Sequence, residues 1–514
     1  MLCLGLLGSA LISCSSPEGS ASGSQGGSAG VAGSSGGVGG TTQGAGGTAT
    51  GGAGAAGLGG TSVGGAGGRV GDGDSFVTDV SVAVHDDVNT ILVVTWTQTT
   101  AADQIWLEFG FEGSNALTSR ASPGAVGAHQ DVVLGVPGQT AVTLRIISSQ
   151  GGAEHATRDY QGTTGAIPSG LPVAEILAYD ASLASPERWL FGAVEDSEGG
   201  GDVDYYRATS WLYIMDRQGR MVWYYADPAT NATSGFQRIA RDGEYIWVEK
   251  RPFGGGGQLG VLKMTLDREY FEEIPISGLS DCIDVTDDGS LLFDDNGDLI
   301  EWTGPSSQET IWSCLSHFGQ GFNCYTNTVN WNPQTDTVFM SFPEPGTVVE
   351  IDRQTGELVG QYGNEAGSWD FAPPLTSPPN AWGFGFQHFP NLSAAGTLML
   401  SSHMPGYEET SNPVANQHAF LEFEIDRANQ ILTEKWRYTD GPEWAHAKGM
   451  AIRLANGNTL ANYGTGGVIR EITPDKQTAF HVKFDTPNGS DFYNKMVGNN
   501  VLIDDLYALN GGPD

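Results

Sequence analysis

The chain has 514 residues, with 24 Lys plus Arg against 60 Asp plus Glu and a formal charge of −36. That length is enough for about two or three domains and a large core. The acidic balance excludes nucleic acid and anionic membrane surfaces as partners, since both need a basic face, whereas a small anion needs only a local cluster of donors.

The N-terminus reads as an export signal. Leu2 to Ser13 is apolar, and Leu11-Ile12-Ser13-Cys14 resembles the lipobox of bacterial lipoproteins. The resemblance implies cleavage before Cys14, lipid on its thiol and a place in the cell envelope. An ordinary secretory signal is the alternative. No Lys or Arg precedes the apolar run, which leaves an upstream start open. No other stretch is long and apolar enough to span a bilayer as a helix. Residues 15–74 are Gly, Ser, Ala and Thr with almost no charge or aromatic. They cannot bury enough apolar area to offset chain entropy, and are expected to be a disordered tether.

Residues 75–168 alternate in the β manner. FVTDVSVAVHD, ILVVTWTQT, IWLEFGF, DVVLGV and AVTLRIIS read as strands, with Gly, Pro and Asn between them. Their number and size predict a small β-sandwich of fibronectin or immunoglobulin type, with Trp96 and Trp106 in its core. His85, His129 and His155 read as solvated loop or strand-end residues.

From 169 to 514 one unit recurs: a residue eight positions before a turn glycine, a strand on each side of the turn. His388 stands so before Gly396, Asp281 before Gly289, Gly449 before Gly457 and Gly235 before Gly243. Strand, tight turn, strand at irregular spacing is the pattern of a β-propeller. Six blades is the count, with five or seven as alternatives. ILAYDA and RWLFGAV open the first blade, and GMAIRLANGNTLANYGTGGVIREITPDKQTAFHVKF forms the sixth. The first residues of each inner strand would ring a central channel, placing His388 and Asp281 around one pocket. Trp211, Trp223 and Trp436 read as blade-closing core.

Five cysteines occur. Cys314 and Cys324 flank a short loop and are the expected disulfide, with Cys282 as a competing partner. His317 lies inside that loop, which could fold over the channel as a lid. No cysteine pair has zinc-ligand spacing with histidines, and neither metal nor cofactor is expected. Asp281, Asp284, Asp287 and Asp288 read as turn chemistry. Asp294-x-Asn296-x-Asp298 has the spacing of the start of a calcium loop but lacks the rest of it. His403 and His418 line a loop over the fifth blade or lie on the surface. His481 reads as an outer-strand residue.

VVEIDRQTGELVGQYG, GFQHFPNLSAAGTLML and LANGNTLANYGTGGVIREITPD resemble units of the bacterial arylsulfotransferases, as does the order of exported sandwich and propeller. The resemblance covers roughly residues 76–514 in architecture. It implies transfer of a sulfuryl group from an aryl sulfate to a phenol without a nucleotide donor, through a transiently sulfated histidine. His388 matches the nucleophile. Asn327 matches the Asn of a His-x-Asn motif whose His is Tyr325 here. A further family histidine falls on Asp281, and the family's Arg falls near Phe342 or Pro343. His446, Lys448, Lys250 and Arg251 are the available substitutes. The implied partners are a small aryl sulfate and a phenol, with the membrane reached only through the lipid. The missing helpers support the competing reading, a non-catalytic surface propeller that binds a small aromatic, a glycan or a protein.

Overall fold

The computed structural model describes residues 72–113, 117–196, 209–226, 239–241, 243–250, 259–280, 282–363, 365–372, 383–403, 418–439, 448–485 and 497–510. The chain is nearly all-β. Its described residues form many small sheets, one short α-helix at Cys314–Phe318 and three 3-10 turns. No described helix is long and apolar enough to cross a membrane.

The N-terminal part has two sheets. Strands Val77–Val84, Leu92–Gln98 and Gly127–Val133 form one, and Ala102–Phe111 and Ala141–Gln150 are the long strands of the other. The two share a core containing Val94, Trp96, Ile105, Leu107, Phe109, Leu144 and Ile146. The strand alternation decides which side chains enter it. Ile105, Leu107 and Phe109 point inward, so Trp106 falls on the opposite face and is only half-buried, contrary to the expectation for it. His85 is also more than a solvated residue. Its Nε2 donates to Asp267 O at 2.8 Å, and its Nδ1 accepts from the backbone of Asp87 and Val88. That tautomer ties the N-terminal sheets to a later turn.

Antiparallel meanders follow. Thr209–Asp216 and Met221–Ala226 pair as a hairpin, and Ile246–Lys250, Gly260–Met264 and Phe271–Pro275 succeed one another. Four-stranded sheets start at Ile283–Val285 and at Thr328–Asn332. Two five-stranded sheets have Gly385–Leu392 and Met450–Arg453 as edge strands. The first strands of successive sheets touch: Ile239–Arg241 meets Ile283–Val285, which meets Thr328–Asn332, which meets Gly385–Leu392. The succession is propeller-like.

The ends of the series are exchanged. Val501–Ile503 pairs with Trp189–Asp196 at the start, while Val173–Tyr179 pairs with Thr478–Asp485 at the end. The segment expected to open the first blade therefore belongs to the last sheet. Closing the series satisfies backbone groups that two open edges would leave unpaired, and a pairing across some 300 residues leaves no mark on local periodicity. A buried ion pair fastens the junction: Arg217 Nη1 lies 3.2 Å from Glu471 Oε2, and Glu471 also accepts from Ser185 N and Asn458 Nδ2.

Of the tryptophans expected to close blades, Trp223 is fully buried, with Nε1 donating to Leu266 O. Trp211 and Trp436 are half-buried; Arg453 lies over the Trp436 ring.

Candidate active site around His388

His388 lies on Gly385–Leu392, a strand that departs from a regular ladder. It pairs with Ser401, and the register breaks on both sides of it. Phe386 and Phe389 hold left-handed backbone, at φ 45° and 55°. Left-handed backbone costs a non-glycine residue roughly 1–2 kcal/mol, so such strain persists only where surroundings enforce it.

Here the neighbouring sheet enforces it. Gln387 is fully buried, and its Nε2 donates to Ser341 Oγ, Phe342 O and Thr347 O at 3.1, 3.0 and 3.1 Å. Its carbonyl accepts from Ser341 Oγ at 3.2 Å and from Asn327 Nδ2 at 2.9 Å. Thr328 Oγ1 accepts from Phe389 N, and Asn330 Nδ2 donates to Pro390 O. Pro390 has no N–H to offer a ladder, which suits it to a bulged strand.

Asn327 Nδ2 also stands 3.0 Å from His388 Nδ1. An amide nitrogen can only donate, so Nδ1 accepts and the ring proton of the neutral imidazole sits on Nε2. The bond from the same nitrogen to Gln387 O fixes the amide in this sense. His388 thus carries its ring proton on Nε2.

Behind it, Ser401 Oγ donates to His388 O at 3.3 Å. His418 is buried, 4% exposed, so of its two expected places the surface one does not hold, and its ring lies 5.7 Å from that of Tyr463. Gly449 closes this corner. With φ at 126°, a Cβ there would stand 2.8 Å from Ser401 Oγ and 2.9 Å from His418 Cε1. Lys448 beside it is half-buried and has φ 62°. His403 is the cross-strand partner of His418.

Among the sequence-predicted residues, then, His388 and Asn327 come together, and Lys448 lies beside the Gly449 corner. Tyr325 is 40% exposed, two residues before Asn327. Asp281, Arg251, His446 and Cys14 lie outside the described residues. Lys250 is engaged elsewhere, 2.7 Å from Glu273. Sequence reasoning missed Gln387, Ser401 and Thr328, whose polar side chains carry no motif. The only signal was Gly449, at the repeat position that His388 fills in the preceding unit.

The remaining candidates have structural work. Asp284 Oδ2 accepts from Trp331 N at 2.7 Å. Asp288 takes Thr286 Oγ1 and Ser290 N, and the Thr286 hydroxyl, with Ser290 N–H and Arg353, holds its carboxyl well below the usual range. Asp294 is buried, and Asp298 Oδ1 accepts from Cys314 N. Among the described residues no group of three or more His, Cys, Asp or Glu is placed to hold a metal. A disulfide joins Cys314 to Cys324, and buried Cys282 takes no part in it. His317, inside that loop, lies 3.3 Å from Gln361 Oε1 and packs on Trp312 and Phe318. His481 lies on Thr478–Asp485, the strand flanked by Val173–Tyr179 and Val468–Ile472. A cavity of about 230 Å³ lies at the N-terminal sheets between Phe109, Leu134, Trp189 and Tyr507, and His388 does not line it.

No family model matches the chain, and no curated protein matches it. Similar solved structures include virginiamycin B lyase from Staphylococcus aureus, at TM-score 0.31 and 13% identity over 50% of this chain and 74% of that one. An auxiliary nutrient binding protein from Bacteroides thetaiotaomicron gives 0.33 and 14% over 81% and 86%. Hsv2p from Kluyveromyces lactis gives 0.29 and 9% over 80% and 97%. At these scores the likeness carries no argument about chemistry, and none of the three is an arylsulfotransferase.

Proposed function

We propose that the chain is an exported, arylsulfotransferase-like enzyme. In this reading the meander sheets close as a six-bladed β-propeller, and the two sheets before them form a fibronectin-like sandwich. A lipid on Cys14 tethers the protein to the cell envelope. His388 accepts a sulfuryl group from an aryl sulfate and passes it to a phenol. The observation that carries the reading is the Asn327–His388 pair on a strand strained on both sides of the histidine.

The step has a defined balance. An imidazole nitrogen attacks sulfur, the N–S bond forms, the S–O bond to the ring breaks, and the phenolate leaves and takes a proton from solvent. A second phenol then loses its proton to solvent and attacks the same sulfur, and the N–S bond breaks to restore the histidine. For Nε2 to attack, its lone pair must be free, so the ring proton must move to Nδ1. A half-turn of the Asn327 amide supports this: Oδ1 then faces Nδ1–H, and the bond to Gln387 O is given up.

The resting tautomer favours a second reading. With its proton on Nε2, His388 has a hydrogen-bond donor, which suits a propeller that binds a small anion without transforming it. One assay separates the two. The full-length protein is incubated with a chromogenic aryl sulfate, with and without a phenol, beside His388→Ala. Acceptor-dependent phenol release that disappears in the variant, with one SO₃ on His388 by mass spectrometry, is the expected result. A folded protein with no turnover over several donors would leave the binding reading.

A further inference from the structure

The cavity of about 230 Å³ at the N-terminal sheets has both charged and aromatic groups in its lining, among them Phe109, Arg188, Trp189, Asp504, Asp505 and Tyr507. Its volume is below the roughly 300–1,000 Å³ of a pocket for a drug-sized ligand and suits a molecule the size of one amino acid. The aromatic walls are fixed. Tyr507 Oη donates to Val132 O at 3.0 Å and accepts from Leu134 N at 3.1 Å. Trp189 lies so close to Gly135 that a Cβ there would stand 2.9 Å from Cζ2 of the indole. Phe109 is buried, 1% exposed. The charges are arranged less simply. Trp189 pairs with Ile503 in antiparallel register, so Arg188 and Asp504 are the next pair beyond that end of the ladder. Opposite charges directly across two strands ordinarily interact. These do not, and neither side chain makes an ion pair or hydrogen bond with another described residue. Asp505 is engaged, its Oδ1 accepting from Tyr507 N at 2.9 Å. In a chain with 24 basic and 60 acidic residues, an arginine left unpaired next in register to an aspartate calls for a reason.

We propose that this cavity binds a free α-amino acid with an aromatic side chain, its carboxylate on Arg188, its ammonium on Asp504 and its ring among Phe109, Trp189 and Tyr507. An amino acid carries both charges on one carbon, so it satisfies the unpaired cation and the unpaired anion at once. A simple anion would meet the Asp504 and Asp505 charges, and a simple cation would meet Arg188. A guanidinium takes a carboxylate through two parallel hydrogen bonds, and charge-assisted bonds are roughly twice as strong as neutral ones. The ring gains from burial and from offset or edge-on aromatic pairs. Walls already in place keep the ordering cost of binding low. His388 does not line this cavity, so the site stands whether or not sulfuryl transfer does.

The test removes one charge at a time from the ligand and from the protein. The full-length protein is titrated calorimetrically with L-phenylalanine, with 3-phenylpropionate, which lacks the ammonium, and with 2-phenylethylamine, which lacks the carboxylate. Glucose serves as a neutral polar ligand. L-phenylalanine is expected to bind about tenfold or more tighter than either analogue, the size of one hydrogen bond to a charged group. Asp504→Asn should erase the preference over 3-phenylpropionate and keep that over 2-phenylethylamine. Arg188→Gln should do the reverse. Both positions are exposed, so both variants should melt with the parent, and each controls for the folding of the other. No binding of L-phenylalanine, equal affinity for it and its two analogues, or glucose bound in its place would overturn the proposal. So would a variant that weakens all three phenyl compounds by the same factor, since that marks a disturbed wall and not a lost charge.

Discussion

Gly449 and Phe386 are two residues in left-handed backbone with opposite physical accounts. Gly449 is required: its backbone lies against Ser401 and His418, with no room for a Cβ. Phe386 is tolerated, because Gln387 and the adjacent sheet hold its backbone from outside. Gly449→Ala should therefore destabilise the protein by about 2 kcal/mol or more, through both the clash and the positive φ. Urea unfolding followed by tryptophan fluorescence measures this. A change under a few tenths of a kcal/mol would mean that the corner behind His388 is looser than its contacts indicate. The pattern of glycines before turns was legible in the sequence. The reason for this one was not, since Ser401 and His418 are distant in the chain from it.

At the scale of elements, the segment after Ser307–Trp312 shows how a loop is made rigid. Ser313 caps the short helix Cys314–Phe318, with its Oγ accepting from Ser316 N. Phe318 and Phe322 stack at 3.9 Å and pack against Phe342, and the disulfide closes a span of ten residues. Closing a loop of that length contributes about 3 kcal/mol by chain entropy. Reduction, or Cys314→Ser with Cys324→Ser, should speed amide exchange across residues 314–324 and leave Thr337–Phe342 and Thr347–Asp352 protected. Equal loss of protection in those strands would mean that the loop and the sheet unfold together. Two cysteines around a short aromatic segment gave the pairing to sequence reasoning, but the helix inside it was hidden. Five residues are too few for helical periodicity, and only tertiary packing keeps them folded.

Across the whole molecule, the N-terminal sheets are joined to the meanders by polar contacts, and a buried carboxyl lies nearby. Tyr507 Oη donates to Val132 O and accepts from Leu134 N, and Asn89 N donates to Tyr224 Oη. Asp131 lies in the same region and accepts from Ser119 Oγ and Val132 N. Burial pushes its carboxyl up to about 6, against those two hydrogen bonds, and the Asp267 and Glu269 charges push the same way. A raised carboxyl favours the protonated folded state. The penalty for ionising it is absent below about pH 4, grows as pH rises toward 6 and is complete above that. Asp131→Asn should thus gain about 1–3 kcal/mol at pH 8 and little at pH 4. Denaturant midpoints at the two pH values check it, and an equal gain at both would rule out ionisation as the cause.

Chain order and alternation determined the all-β character and the hairpins such as Thr209–Asp216 with Met221–Ala226. These are local properties: side chains alternate with period two, and turns need glycine at defined offsets. Tertiary structure decided the rest. It moved Val173–Tyr179 to the last sheet, turned Trp106 outward and buried His418. It also brought Asn327 to Nδ1 of His388 across 61 residues and so set which ring nitrogen carries the proton. Such choices depend on which strands pair and which backbone groups remain to be satisfied, and those are settled only when distant parts of the chain meet.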